Sequence, residues 1–245
     1  MSILHTRLRD FKLSGIVANL TERLSYANTQ KLGYLEFLEL LCEDEFNNRN
    51  QNSHKKRLAK ARIPDYKTLA DFDFNFQPSI NKKQVNDVYT CQFINEHNNA
   101  IFIGEPGTGK THLATAIALN AIAKGFKVLF TDVGEMLDIL HMSKADNSYY
   151  KKLQDYITPD LLVLDELGFK ALPSYSANDF FDVIAKRYEK GSCIVTTNKK
   201  FEQWSDIFTD NTLTRAILDR LVHHACIFKI NGPSYRSKNI QGGKL

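Results

Sequence analysis

The sequence predicts an α/β fold: a parallel β-sheet flanked by helices, with a small N-terminal helical domain ahead of it. Three observations predict it. From about residue 82 onward, short apolar runs alternate with helical segments, the pattern of a sheet buried on both faces. One of these strand–helix junctions carries a complete glycine-rich loop, Gly104-Glu105-Pro106-Gly107-Thr108-Gly109-Lys110-Thr111. Residues 1–62, by contrast, carry helical periodicity and no strand signal.

The N-terminal elements come first. Ile16, Leu20 and Leu24 recur every fourth residue, which places them on one helical face. Gly33 punctuates, and Leu35, Leu38, Leu41 and Cys42 begin a second helix. That helix turns basic at His54, Lys55, Lys56, Arg57, Lys60 and Arg62. Pro64 ends it, and Ile63 before the proline is expected to be extended. Residues 63–81 are expected to form a linker with interleaved aromatics, Tyr66, Phe72, Phe74 and Phe76. Residues 82–245 then form the second domain. Strands are expected at 100–103, 128–130, 161–164, 193–195 and 225–230, with helices at 112–124, 135–141, 178–190 and 213–223.

The loop at 104–111 is a P-loop, G-x-x-x-x-G-K-[ST]. Gly107 and Gly109 let the backbone turn its N–H groups inward on phosphates. Lys110 supplies a positive charge for the β- and γ-phosphates, and Thr111 a hydroxyl for Mg²⁺. The following helix, from His112, adds the partial positive charge of its N-terminus. This context makes the chain a P-loop NTPase with ATP and Mg²⁺ as its expected ligands.

Leu161-Leu162-Val163-Leu164-Asp165-Glu166 is an apolar strand with two carboxylates at its C-terminal end, where ligands bind in open α/β sheets. Asp165 is expected to hold Mg²⁺ and Glu166 to deprotonate the attacking water. Ile194-Val195-Thr196-Thr197-Asn198 is a second strand with a polar end. Asn198 could position the same water, although an Asn after a strand is usually a turn residue. An active site shared between subunits needs a guanidinium in trans. Arg220 and Arg236 are the candidates, and Arg215 competes with Arg220.

Composition bounds the rest. The 245 residues carry a formal charge of +4, which permits a nucleic-acid partner without demanding one. The basic run from Lys55 to Arg62 is the clearest patch for DNA phosphates; Lys12, Arg23, Lys151 and Lys152 are weaker candidates. The four cysteines, Cys42, Cys91, Cys193 and Cys226, form no CxxC pair, which argues against a zinc site and against a disulfide framework, and for mostly buried, reduced thiols. No apolar run approaches the roughly 20 residues that span a bilayer. The expected location is cytoplasmic, with no membrane partner.

These motifs together resemble AAA+ ATPases of the IstB and DnaC type. The marks are Gly-Glu-Pro-Gly-Thr-Gly-Lys-Thr-His-Leu (104–113), Asp-Leu-Leu-Val-Leu-Asp-Glu-Leu-Gly (160–168), Arg-Tyr-Glu-Lys-Gly-Ser (187–192), Thr-Thr-Asn-Lys (196–199) and Ala-Ile-Leu-Asp-Arg-Leu-Val-His-His-Ala (216–225). Leu13-Ser14-Gly15 and Gly232-Pro233-Ser234-Tyr235-Arg236 fit as well. The Leu-Asp-Arg-Leu and His-His run favours IstB, the transposition helper, over the replicative helicase loader DnaC. The resemblance implies that Arg220 is an arginine finger, Asn198 a sensor of the γ-phosphate and Arg236 a second sensor. It implies self-association with ATP on double-stranded DNA, without sequence preference, and a transposase as partner. It also implies no C-terminal lid domain. The alternatives are a DnaC-like helicase loader and a nucleotide-binding scaffold that hardly turns over; the Asp165, Glu166 and Arg220 set speaks against the scaffold.

Overall fold

The computed structural model describes residues 3–169, 172–173, 175–208 and 210–237; the last eight residues of the expected ATPase domain, 238–245, lie outside them. The chain divides into two compact units, Met1–Lys56 and Arg57–Leu245.

The first unit contains α1 (Ile3–Asp10), α2 (Ser14–Gln30) and most of α3 (Tyr34–Ala61). Lys31, in left-handed backbone, caps α2, and Gly33 precedes α3. Gly15 lies so close to α3 that an added Cβ would meet the Asp44 carbonyl at 2.6 Å and the Glu45 Cα at 2.7 Å. The close approach brings the buried Glu45 carboxylate onto the start of α2. Its Oε2 accepts from the Gly15 and Ile16 amides at 2.7 and 3.3 Å, which satisfies donors that a helix N-terminus leaves over. Arg23 grips Asp44 with two hydrogen bonds of 2.8 and 2.7 Å. Arg23, one of the weaker DNA candidates, is thereby paired with Asp44 within the first unit. Of the Ile16, Leu20 and Leu24 series only Leu20 is fully buried, and Leu24 is exposed.

The second unit holds α4 (Lys82–Tyr89), α5 (Gln92–Asn95), β1 (Asn99–Gly104), α6 (Lys110–Ala123), β2 (Val128–Asp132), α7 (Val133–Met142), α8 (Tyr149–Ile157), β3 (Leu161–Leu167), α9 (Ser176–Arg187), β4 (Ser192–Thr197), α10 (Asn211–Val222) and β5 (Ala225–Ile230). The five strands lie in the order β2-β3-β4-β1-β5, and every described pairing is parallel. This is the expected parallel sheet. Alternation along β1 divides the core: Ile101 and Ile103 pack with α7, α9 and α10, whereas Ala100 and Phe102 pack with α4 and α6. Strand order reverses at β1, whose neighbours are β4 and β5, so ligands are expected at its C-terminal end.

The short helices α4, α5 and α8 were not expected from sequence. Helix α9 ends at Arg187, three residues before the expected end, because Tyr188 leaves helical backbone at ψ 123° and Glu189 follows in left-handed backbone, φ 57°. The 63–81 stretch packs on this unit: Ile63, Leu69, Phe72 and Phe74 lie against the α6 side of the core, and Ile80 is part of it. Among the described residues no helix is long and apolar enough to cross a membrane. Cys91 and Cys193 are buried, Cys226 is half-buried and Cys42 is exposed, so burial is less general than expected.

Candidate nucleotide-binding site

Strand β1 ends at Gly104 and α6 begins at Lys110. Between them Gly107 and Gly109 take φ values of +81° and +97°, backbone that L side chains rarely adopt. A Cβ on Gly109 would also meet Phe72 at 2.6 Å. The Glu105 carbonyl draws the loop together, accepting from Thr108 Oγ1 at 2.8 Å and from Lys110 Nζ at 2.9 Å. Burial pushes the Lys110 ammonium below its ordinary pKa, while the carboxylates of Asp165, Glu105 and Glu166 pull it back up.

Asp165 is buried at the end of β3. Its Oδ1 accepts from Thr111 Oγ1 at 3.0 Å and from Thr196 Oγ1 at 2.5 Å. Burial pushes the Asp165 carboxyl up and the two hydroxyls pull it down; burial prevails. A hydroxyl and a carboxylate side by side are hard oxygen donors that suit Mg²⁺, so Thr111 and Asp165 fit the ion expected there. Asp132 ends β2 in register with Asp165, and its Oδ1 accepts from the Glu135 amide at 2.9 Å as the N-cap of α7.

Glu166 is exposed, in left-handed backbone with φ 62°. The β3–β4 register slips between Leu164 and Leu167, a bulge of the kind that re-aims a side chain beside a site. The Glu166 amide donates to Thr196 Oγ1 at 3.0 Å. Thr196 therefore joins both carboxylate residues. It stood unremarked in the Thr-Thr-Asn run, because a threonine in a strand normally reads as β propensity. At the end of the same strand, the Asn198 side-chain oxygen is buried with no hydrogen-bond partner among the described residues, a costly state that a polar ligand would relieve.

A cleft of about 500 Å³ opens over the loop, lined by Gly107 to His112, Tyr66, Phe72, Gln77, Tyr235 and Arg236 among others. His112 Nε2 lies 2.8 Å from the Thr68 carbonyl, and Phe72 meets the His112 ring edge-on at 5.3 Å. This wall comes from the aromatic linker that the sequence singled out, with Tyr66 and Phe72, and from His112 after the loop. On the other side, the Tyr235 amide donates to the Gly107 carbonyl at 2.9 Å, which brings Arg236 to the cleft. Glu105 and Pro106 are exposed at the loop's crown.

Arg220 does not join this cluster. It lies near the end of α10, and Ala225 at the start of β5 pairs with Asn99 at the start of β1. A six-residue strand spans about 17 Å, so Arg220 lies toward the N-terminal ends of the strands and the P-loop at the C-terminal end of β1. Its guanidinium donates to the Ala216 carbonyl at 2.9 Å and lies over the Phe181 ring. Arg215 is exposed on the same helix. Of the basic run, Lys55, Lys56, Lys60 and Arg62 are exposed. Arg57 Nε donates to the Ile122 carbonyl at 3.3 Å, and Arg62 reaches Tyr156.

A P-loop on β1, paired with acidic residues on β3 and a polar end on β4 in this strand order, defines an AAA+ nucleotide-binding protein. Solved structures share the fold: a DnaC helicase loader at 22% identity and TM-score 0.53, covering 61% of this chain and 87% of that one, and DnaI at 23% and 0.58, covering 68% and 92%. The chain belongs to the IstB-like ATP-binding protein family, whose family model matches residues 6–242. An ATP-binding protein of insertion sequence IS21 from Pseudomonas aeruginosa is 40% identical over 97% of this chain and 89% of its own length. One of insertion sequence IS5376 from Geobacillus stearothermophilus is 39% identical over 86% and 84%.

Proposed function

We propose that this protein hydrolyses ATP, that the bound nucleotide governs its self-association on double-stranded DNA, and that the resulting assembly assists a transposase in selecting or activating target DNA. One observation carries the hydrolytic part. Asp165 ties Thr111 of the loop to Thr196 of β4, and the same Thr196 holds the bulge that presents Glu166. A site that only gripped nucleotide would not need a carboxylate in strained backbone.

In this reading the loop amides and Lys110 hold the β- and γ-phosphates. Thr111 and Asp165 hold Mg²⁺, which when bound neutralises charge on the phosphate oxygens. Glu166 accepts the proton of the attacking water, and Asn198 orients that water through its unpartnered oxygen. Arg236 adds positive charge from the cleft's edge. Arg220, toward the strand ends away from the P-loop, would serve a neighbouring subunit's phosphates. The DNA part rests on Lys55, Lys56 and Lys60, with Arg57 and Arg62 partly committed elsewhere, and on relatives that belong to insertion sequences. The helical region up to residue 62 would carry these contacts.

The test is an ATPase assay with and without duplex DNA. Turnover that depends on Glu166 and rises with DNA supports the reading. Nucleotide binding without turnover, with or without DNA, would leave only a scaffold.

A further inference from the structure

The structure assigns a transition-metal site to Glu189, His223 and His224, at the strand ends away from the P-loop. Each offers one ligand atom, and the three atoms lie within 4.8 Å of one another, the one such grouping among the described residues. Zinc–nitrogen and zinc–oxygen bonds of about 2.0–2.2 Å need ligand atoms somewhat closer than this. All three side chains are exposed and can close the gap by rotation.

The backbones that present them are held firmly. Glu189 occupies the α9–β4 turn in left-handed backbone, φ 57°, an unusual conformation for a glutamate. That turn is fastened by the buried Arg187, whose guanidinium donates to the carbonyls of Tyr156, Ile157, Pro159, Asp160 and Ser192 at 2.6–3.3 Å. His223 caps the end of α10 through its amide to Asp219. The His224 carbonyl accepts from the Asn99 amide at 2.7 Å, which pins it to β1.

A second feature points to a metal. Tyr188 Oη lies 3.0 Å from His223 Nδ1, and the same hydroxyl bonds to Glu189. With Nδ1 protonated and donating to Tyr188, the Nε2 lone pair is left for a metal. A metal-bound histidine commonly donates its other ring N–H to an oxygen acceptor, the part that Tyr188 would play here. Two imidazoles and one carboxylate favour Zn²⁺ or a similar ion over Mg²⁺ and Ca²⁺, which take oxygen. Three protein ligands leave a fourth position for water. The ion would tie the end of α10 to the α9–β4 turn beside Arg220, which lines the same small cavity as Glu189 and His224. The site stands independently of ATP hydrolysis.

The test is calorimetric titration of untagged protein with Zn²⁺, in a Cys42→Ser background that removes the exposed thiol, with Mg²⁺ as control. We expect one Zn²⁺ per chain. Glu189→Gln and His224→Gln should each weaken it by at least tenfold, and Tyr188→Phe, which removes only the outer-shell partner, by about tenfold. Unchanged far-UV circular dichroism and ATP binding would show that the variants fold. No Zn²⁺ binding, or binding of equal strength in the His223→Gln/His224→Gln double variant, overturns the assignment.

Discussion

Glu166 and Thr196 show how much a single side chain depends on its setting. Asp165 and Glu166 were legible in the sequence because two acids directly after four apolar residues put negative charge where a buried strand emerges. The bulge between Leu164 and Leu167, and the left-handed turn at Glu166, were not, since nothing in a period-2 pattern announces a register slip. Thr196 was hidden because a strand threonine reads as β propensity, whereas its importance lies in meeting Asp165 and the Glu166 amide across strands. Thr196→Val is expected to leave nucleotide affinity nearly unchanged while lowering turnover about 100-fold, the cost of a misplacement of about 1 Å. Fluorescent-nucleotide titration and steady-state turnover check the two halves; equal loss in both would mean that Thr196 acts on binding.

At the scale of elements, the P-loop was fully legible because it is contiguous and its context, strand then helix, is local. Helices α4, α5 and α8 were not, being short and dependent on the sheet for their packing. Nor was the meeting of α2 with α3, although Leu13-Ser14-Gly15 marked the place. Gly15 is required by the neighbouring backbone, and Gly15→Ala should destabilise the first unit by about 1–3 kcal/mol through overpacking, read as faster hydrogen exchange along α2. The same contact has a pH signature. Arg23 holds the Asp44 carboxyl below the ordinary value of 3.8. Burial would raise Glu45, but Arg49 and the Gly15 and Ile16 amides bring it below 4.5. Groups depressed on folding stabilise above their unfolded pKa values, and that contribution is lost as pH falls through the folded values. Helix α2 is therefore expected to lose exchange protection below about pH 4 in the native chain, whereas Arg23→Ala, which removes the main cause of the Asp44 depression, should start less protected and fall less steeply with acid.

At the scale of the whole molecule, the placement of Arg220 toward the strand ends away from the P-loop makes a subunit-mixing prediction. Lys110→Ala and Arg220→Ala should each abolish turnover alone and restore it when mixed, because one supplies the arginine and the other the intact loop. Failure to complement would assign Arg220 to its own subunit's folding. DNA binding should weaken steeply with salt, and Lys55→Ala/Lys56→Ala/Lys60→Ala should reduce the log–log slope by about 3, near one per phosphate contact. The basic run was visible in the sequence, but the engagement of Arg57 with Ile122 and of Arg23 with Asp44 was not, because charge counts do not reveal which cations a protein has already used.

The most direct measurement is the behaviour of Glu166→Gln on duplex DNA with ATP and Mg²⁺, following turnover and retention on DNA in the same sample. Turnover at least 100-fold below the native protein, together with prolonged ATP-dependent retention on DNA, is the predicted result. Hydrolysis at the native rate, or release from DNA as fast as the native protein, would contradict it.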